Sequence, residues 1–332
     1  MIFQTPIMAL LLVSGLAGLV ALWSAWFGLR VLRRWNLADG SREQLEMERQ
    51  THLISTLFGF VMLAEALALL LFVYNADRMA NLFVGAMCAV GTLNVNEYGF
   101  PALYLKVATF FAAAVWLIVD RADRAGRDYP LTRVKYAGII LLAPLILAGG
   151  AVELTYFAGL ETDVITSCCS KLFTPANEGL SSEVTGLPPA LALWLLGGSG
   201  LAVALSGAAS LWWGRGQMLF AVSGVVLFFV ALAAIISIIS LYVYDHPNHH
   251  CPFCLLQPEH GYYGYVLYLP LFFGTALALG AGVLQVFVGR PSLRDILPAR
   301  IRKLIGLSMV AFGLFGLATI WAIVSSQLIV FG

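Results

Sequence analysis

The stretch Asp245-His246-Pro247-Asn248-His249-His250-Cys251-Pro252-Phe253-Cys254, running on to Glu259 and His260, concentrates the reactive side chains of this 332-residue chain. Four of its five histidines fall there. Two chemistries want such a grouping. A Cys-x-x-Cys pair can open and close a disulfide, with neighbouring imidazolium and a free helix N-terminus stabilising the thiolate of Cys251. Alternatively, thiolate and imidazole from Cys251, Cys254, His249 and His250 bind a soft or borderline cation such as copper(I) or zinc(II).

The other cysteines extend both readings. Cys88 stands alone, and Cys168 and Cys169 are adjacent. Neighbouring cysteines rarely close a relaxed disulfide with each other, so this pair is suited to trading with another pair or to holding a metal. In a relay, a partner protein reacts with Cys168 or Cys169 and electrons pass to Cys251 and Cys254 through mixed disulfides. In a metal centre, all five cysteines converge with His249 and His250. Structural disulfides in an oxidising compartment are the third reading, and the odd count leaves at least one thiol outside any intramolecular pairing.

The elements that must position these residues are membrane helices. Hydrophobic residues fill 60% of the chain and charged residues only 11%, with a mean hydropathy of +0.87, too little charge to cover a soluble surface of this size. The apolar residues fall in blocks of about twenty, the length that crosses roughly 30 Å of hydrocarbon. Eight spans are expected, at 7–29, 53–74, 101–119, 136–160, 190–213, 218–244, 262–288 and 304–330. The fold class is therefore an all-α integral membrane protein. A net charge of +1 gives no sign of a nucleic-acid partner.

Basic residues orient the spans. Arg30, Arg33, Arg34, Arg42 and Arg49 follow the first, and Arg121, Arg124, Arg127, Arg133 and Lys135 the third. Arg215 follows the fifth, and Arg290, Arg294, Arg300, Arg302 and Lys303 the seventh. These linkers hold sixteen of the 19 basic residues. The positive-inside rule puts them in the cytoplasm, and both termini and the loops 75–100, 161–189 and 245–261 outside. Every cysteine then faces the periplasm or exterior of a bacterial inner membrane. No organelle-targeting segment is present, which points to a prokaryotic host.

With that topology in place, Cys251-Pro252-Phe253-Cys254, at the outer face before a span, resembles the active-site motif of membrane thiol oxidoreductases of the vitamin K epoxide reductase and DsbB type. The resemblance covers these few residues. It implies that Cys251 and Cys254 are the quinone-proximal pair, with Cys168 or Cys169 as shuttle cysteines and a periplasmic thioredoxin-like protein as partner. The chain departs from that family in having eight spans in place of a four-helix core, and in placing Pro258 between the motif and the next apolar run.

Three ionisable side chains lie inside spans, where charge is expensive and by default functional. Glu65 is about 18 Å into the second span at 1.5 Å per residue. Lys106 and Glu153 lie at roughly 8 and 10 Å from the outer ends of the third and fourth, depths that suit an ion pair. Together with Tyr262 and Tyr265 they are candidate quinone contacts; Tyr262, Tyr263, Tyr265 and Tyr268 also read as an interfacial aromatic belt. Gly197, Gly198 and Gly200 suggest close helix packing. Ser41 reads as the capping residue of a charged helical linker.

An internal repeat organises the halves. Glu97-Tyr98-Gly99-Phe100 with Leu103-Tyr104-Leu105 echoes Glu259-His260-Gly261-Tyr262 with Leu267-Tyr268-Leu269. The expected division is a four-helix half at 1–160, an outer loop at 161–189 and a second four-helix half at 190–332, as a parallel tandem repeat. Three functions fit. The first is a thiol–disulfide oxidoreductase between periplasmic thiols and a quinone. The second is a copper or zinc transport or metallation factor served by a metal chaperone. The third is a disulfide-stabilised subunit of a larger membrane complex.

Overall fold

The computed structural model describes residues 3–36, 41–161 and 187–328. Among them every regular element is helical. Eight helices are long and apolar enough to cross a membrane, and their outward faces carry residues that water would reject, including Leu141 at 76% exposure and Trp194 at 80%. Such faces suit a lipid environment.

The chain divides into two compact units. The first comprises Met1–Asn75, Asn96–Glu161 and Val286–Pro298. Its helices are α1 (Thr5–Arg34), most of α2 (Arg42–Met79), α4 (Gly99–Asp123) and α5 (Thr132–Ala158). Pro6 opens α1, where its missing N–H costs nothing, and Arg33 and Arg34 close it against the negative end of the helix dipole. At the start of α2, Ser41 Oγ accepts the Gln44 N–H at 3.3 Å, the expected cap. The charged linker is thus the first turns of a single long helix. Phe58 meets Trp116 edge-on at 4.8 Å in the core of this unit. The Trp116 indole donates to the Lys135 carbonyl at 3.2 Å.

The second unit comprises Ala76–Val95, Thr162–Gln285 and Ala299–Gly332. It contains α3 (Ala89–Leu93), α6 (Pro189–Trp213), α7 (Gln217–Ala234), α8 (Ser240–Tyr244), α9 (Tyr263–Gln285) and α10 (Leu297–Ser325, from Ala299). The segment around Cys88 therefore belongs to the same unit as Cys251 and Cys254. Close helix approach occurs at Gly207 and Gly282, where an added methyl would lie 2.7 Å from Met309 Sδ and 2.6 Å from Ala221 Cβ. The expectation for Gly197, Gly198 and Gly200 is corrected here. Among the described residues nothing lies within 4 Å of a methyl added at any of them, and the close packing expected of the glycine-rich span 195–208 is found at Gly207 instead.

Between α7 and α8 the helix widens into a π turn over Ile235–Ile239. Asp245, left-handed at φ 50°, then ends α8. Its carboxylate accepts the Gln327 N–H at 3.1 Å and the Ser326 hydroxyl, tying this end to the residues that follow α10.

Candidate functional site

The loop from His246 to Tyr262 is short of regular structure and is held by side chains. The Tyr244 hydroxyl donates to the Cys251 carbonyl. The Tyr268 hydroxyl donates to the Pro252 carbonyl at 2.9 Å. A tight turn follows over Cys254–Leu256. A second, over Pro258–His260, ends at Gly261, which takes the left-handed φ of 61° that glycine adopts without strain. Gly264, at the start of α9, lies so close to this loop that an added methyl would meet Leu256 Cδ2 at 2.8 Å and the Leu255 carbonyl carbon at 3.0 Å.

The Gln257 side chain fastens the Cys88 segment to this loop. The Gln257 amide nitrogen donates to Asp77 Oδ1 at 3.1 Å and to the Met87 carbonyl at 2.9 Å. Its backbone N–H donates to the Cys254 carbonyl at 3.1 Å. Gln257 therefore couples the residue before Cys88 to the turn that carries Cys254.

The result is a convergence of sulfur. Cys88, Cys251 and Cys254 place their Sγ atoms within 4.8 Å of one another, and the Cys88 and Cys251 sulfurs are 3.5 Å apart. All three residues are buried, as are the adjoining Ala89, Val90 and Leu255. Three thiolates around one ion at about 2.3 Å would have sulfur–sulfur edges of roughly 3.8–4.0 Å. The Cys88–Cys251 pair is a little closer than that and no edge exceeds 4.8 Å, so the triangle is of the size a three-thiolate site needs.

The expected site residues fall into distinct places. His249 stacks on Tyr244, with ring centroids 4.1 Å apart. His260 meets the same ring edge-on at 4.4 Å. Burial, and then the neighbouring His260, holds the His249 imidazole below its ordinary pKa. His260 is lowered by burial against an opposing effect of Glu259. Both rings therefore favour the neutral form. His250 points to the π turn: its Nδ1 is 2.9 Å from the Ile236 carbonyl, which also accepts the Ser240 hydroxyl at 3.2 Å. Neither His249 nor His250 joins the sulfur group.

Tyr262 and Tyr265 lie 6.3 Å apart at the start of α9 in the second unit. Lys106 and Glu153 belong to the first, where they form the expected ion pair at 3.1 Å. Cys168 and Cys169 lie outside the described residues.

Sequence reasoning missed Gln257, a polar residue three positions after Cys254, and the part played by Asp77. The spacing Cys254-x-x-Gln257 is the only local signal of that clamp. Neither the family models nor the characterised proteins nor the solved structures compared with the chain match it.

Proposed function

We propose that this membrane protein captures a soft metal ion, copper(I) foremost, in a site made by the Cys88, Cys251 and Cys254 thiolates. The observation that carries the reading is the convergence of three buried sulfurs from two segments far apart in sequence. Thiolate ligands select copper(I) and zinc over harder ions. Three of them suit a three-coordinate monovalent ion, whereas zinc(II) would leave its fourth tetrahedral position open. The concentration of basic residues in the alternate linkers supports a site at the periplasmic or outer face. There the ion is received for transport or for metallation of a partner by a metal chaperone.

Anaerobic titration of the purified protein with copper(I) against a coloured chelator tests this. One ion per chain should be withheld from the chelator, and Cys88→Ala, Cys251→Ala and Cys254→Ala should each release it. Retention of the ion by all three variants would exclude the site.

A second reading draws on the 3.5 Å approach of Cys88 and Cys251. It is the thiol–disulfide exchange implied by the resemblance of Cys251-Pro252-Phe253-Cys254 to the quinone-linked oxidoreductases. Two thiols would join as a disulfide, giving up two electrons and two protons to a quinone. The Cys88 thiolate could then attack that disulfide and release one of its sulfurs. Oxidised against reduced quinone would change the free-thiol count by two under this reading. Under the metal reading only a chelator changes it.

A further inference from the structure

The first unit buries a second cluster that the sulfur site does not use. Glu65 of α2, Lys106 of α4 and Glu153 of α5 meet Ser14 of α1 inside the bundle. Lys106 Nζ lies 3.2 Å from Glu65 Oε2, 3.1 Å from Glu153 Oε2 and 2.9 Å from Ser14 Oγ. The Ser14 hydroxyl donates to Glu153 Oε2. The side chains of Lys106, Glu65 and Glu153 are 2%, 4% and 0% exposed. Both remaining carboxylate oxygens, Glu65 Oε1 and Glu153 Oε1, are buried without a hydrogen-bond partner.

Charge does not balance there. One ammonium faces two carboxylates, so full ionisation leaves a net negative charge at membrane depth, where an uncompensated charge is expensive. The same unit shows the balanced alternative. Lys135 lies 3.1 Å from Asp120 and 2.9 Å from Asp123, and Arg124 pairs with Asp120 at 2.8 Å, giving two cations for two anions. Among the described residues Glu65 and Glu153 have no counterpart to Arg124.

We propose that Glu65 and Glu153 share one bound proton beneath the Lys106 ammonium, making this cluster an intramembrane proton-binding site. The groups facing it from every helix that forms it are Ser14, Glu65, Lys106 and Glu153, and Ser14 is neutral. One proton makes the set neutral, whichever of the two carboxylates carries it. The need for it arises only because there are two carboxylates. Removing either one should abolish the proton, whichever residue carries it.

Infrared spectroscopy of the full chain in lipid reads this directly through the carbonyl stretch of a protonated carboxyl. The unaltered protein should show such a band near neutral pH. Glu65→Gln and Glu153→Gln should each lose it completely, because the remaining carboxylate then pairs with Lys106. Lys106→Met should double it, and this variant keeps the test open if a glutamine variant fails to assemble. Absence of the band from the unaltered protein, or persistence of half or more of it in either glutamine variant, would overturn the proposal. So would an unchanged band in Lys106→Met.

Discussion

Cys88 Sγ and Cys251 Sγ lie 3.5 Å apart across 163 positions of sequence. That contact exists because Gln257 holds the two segments in register from one side. Tyr244 and Tyr268 fix the backbone carbonyls of Cys251 and Pro252. The sulfur triangle thus has a supporting layer of hydrogen bonds, and its removal should be felt at the metal.

Gln257→Leu keeps the side-chain volume and removes both donations to Asp77 and Met87. Loss of a group that orients metal ligands typically costs 10–100-fold in affinity. A weakening of copper(I) retention by about tenfold is expected, with the protein still inserted and helical. Competition with a coloured chelator measures it, and an unchanged affinity would show that Gln257 does not position Cys254.

Gly264→Ala tests the same site by sterics. The new methyl would stand 2.8 Å from Leu256 Cδ2 and 3.0 Å from the Leu255 carbonyl carbon. Overpacking of this kind costs about 1–3 kcal/mol. The strain falls on residues next to Cys254, so copper(I) affinity should drop along with the unfolding temperature. Gly197→Ala, where the space is open, should change neither.

Acid should loosen the histidine-bearing loop. Burial lowers the pKa values of His249 and His260 in the folded loop. The unfolded loop therefore takes up protons first as pH falls from the ordinary imidazole value of about 6.5. Below that pH the unfolded side binds more protons, so stability is full above it and declines as pH falls through the lowered folded values. Thermal unfolding followed from about pH 8 to about pH 5.5 should show a steeper fall for the native chain than for His249→Phe, which keeps a ring against Tyr244. Parallel slopes would remove His249 from this role.

Asp123→Ala should damage the first unit alone. Its carboxylate accepts the Leu131 N–H at 2.7 Å and pairs with Lys135 at 2.9 Å. Removing one partner of a buried pair costs about 3–5 kcal/mol. A lowered unfolding temperature with copper(I) stoichiometry retained is expected, and loss of the metal at temperatures where the fold survives would contradict the separation of the two sites.

Much of the architecture was legible because a membrane helix announces itself by length and hydropathy, and all eight expected spans have a matching helix. The Lys106–Glu153 pair was legible too, because consecutive antiparallel helices bring equal depths together. Glu65 was not placed with them. Depth alone does not say which way a helix is turned, and its neighbours are fixed by packing of α2. The meeting of Cys88 with Cys251 and Cys254 was illegible for a related reason: it depends on the chain's path between distant segments, which no local pattern encodes. The histidine-rich run suggested metal ligands by composition. In the structure Tyr244 offers His249 an aromatic face and the π turn offers His250 a carbonyl, contacts that composition does not encode. Nothing in the isoleucine-rich stretch Ile235–Ile239 marks that turn in advance.

X-ray absorption of the copper(I)-loaded protein is the most direct measurement of the sulfur site. The expected result is one copper per chain with three sulfur neighbours at about 2.3 Å, and loss of the ion from Cys88→Ala. A first shell dominated by nitrogen or oxygen, or a sulfur count that ignores Cys88, would contradict a metal centre built from Cys88, Cys251 and Cys254.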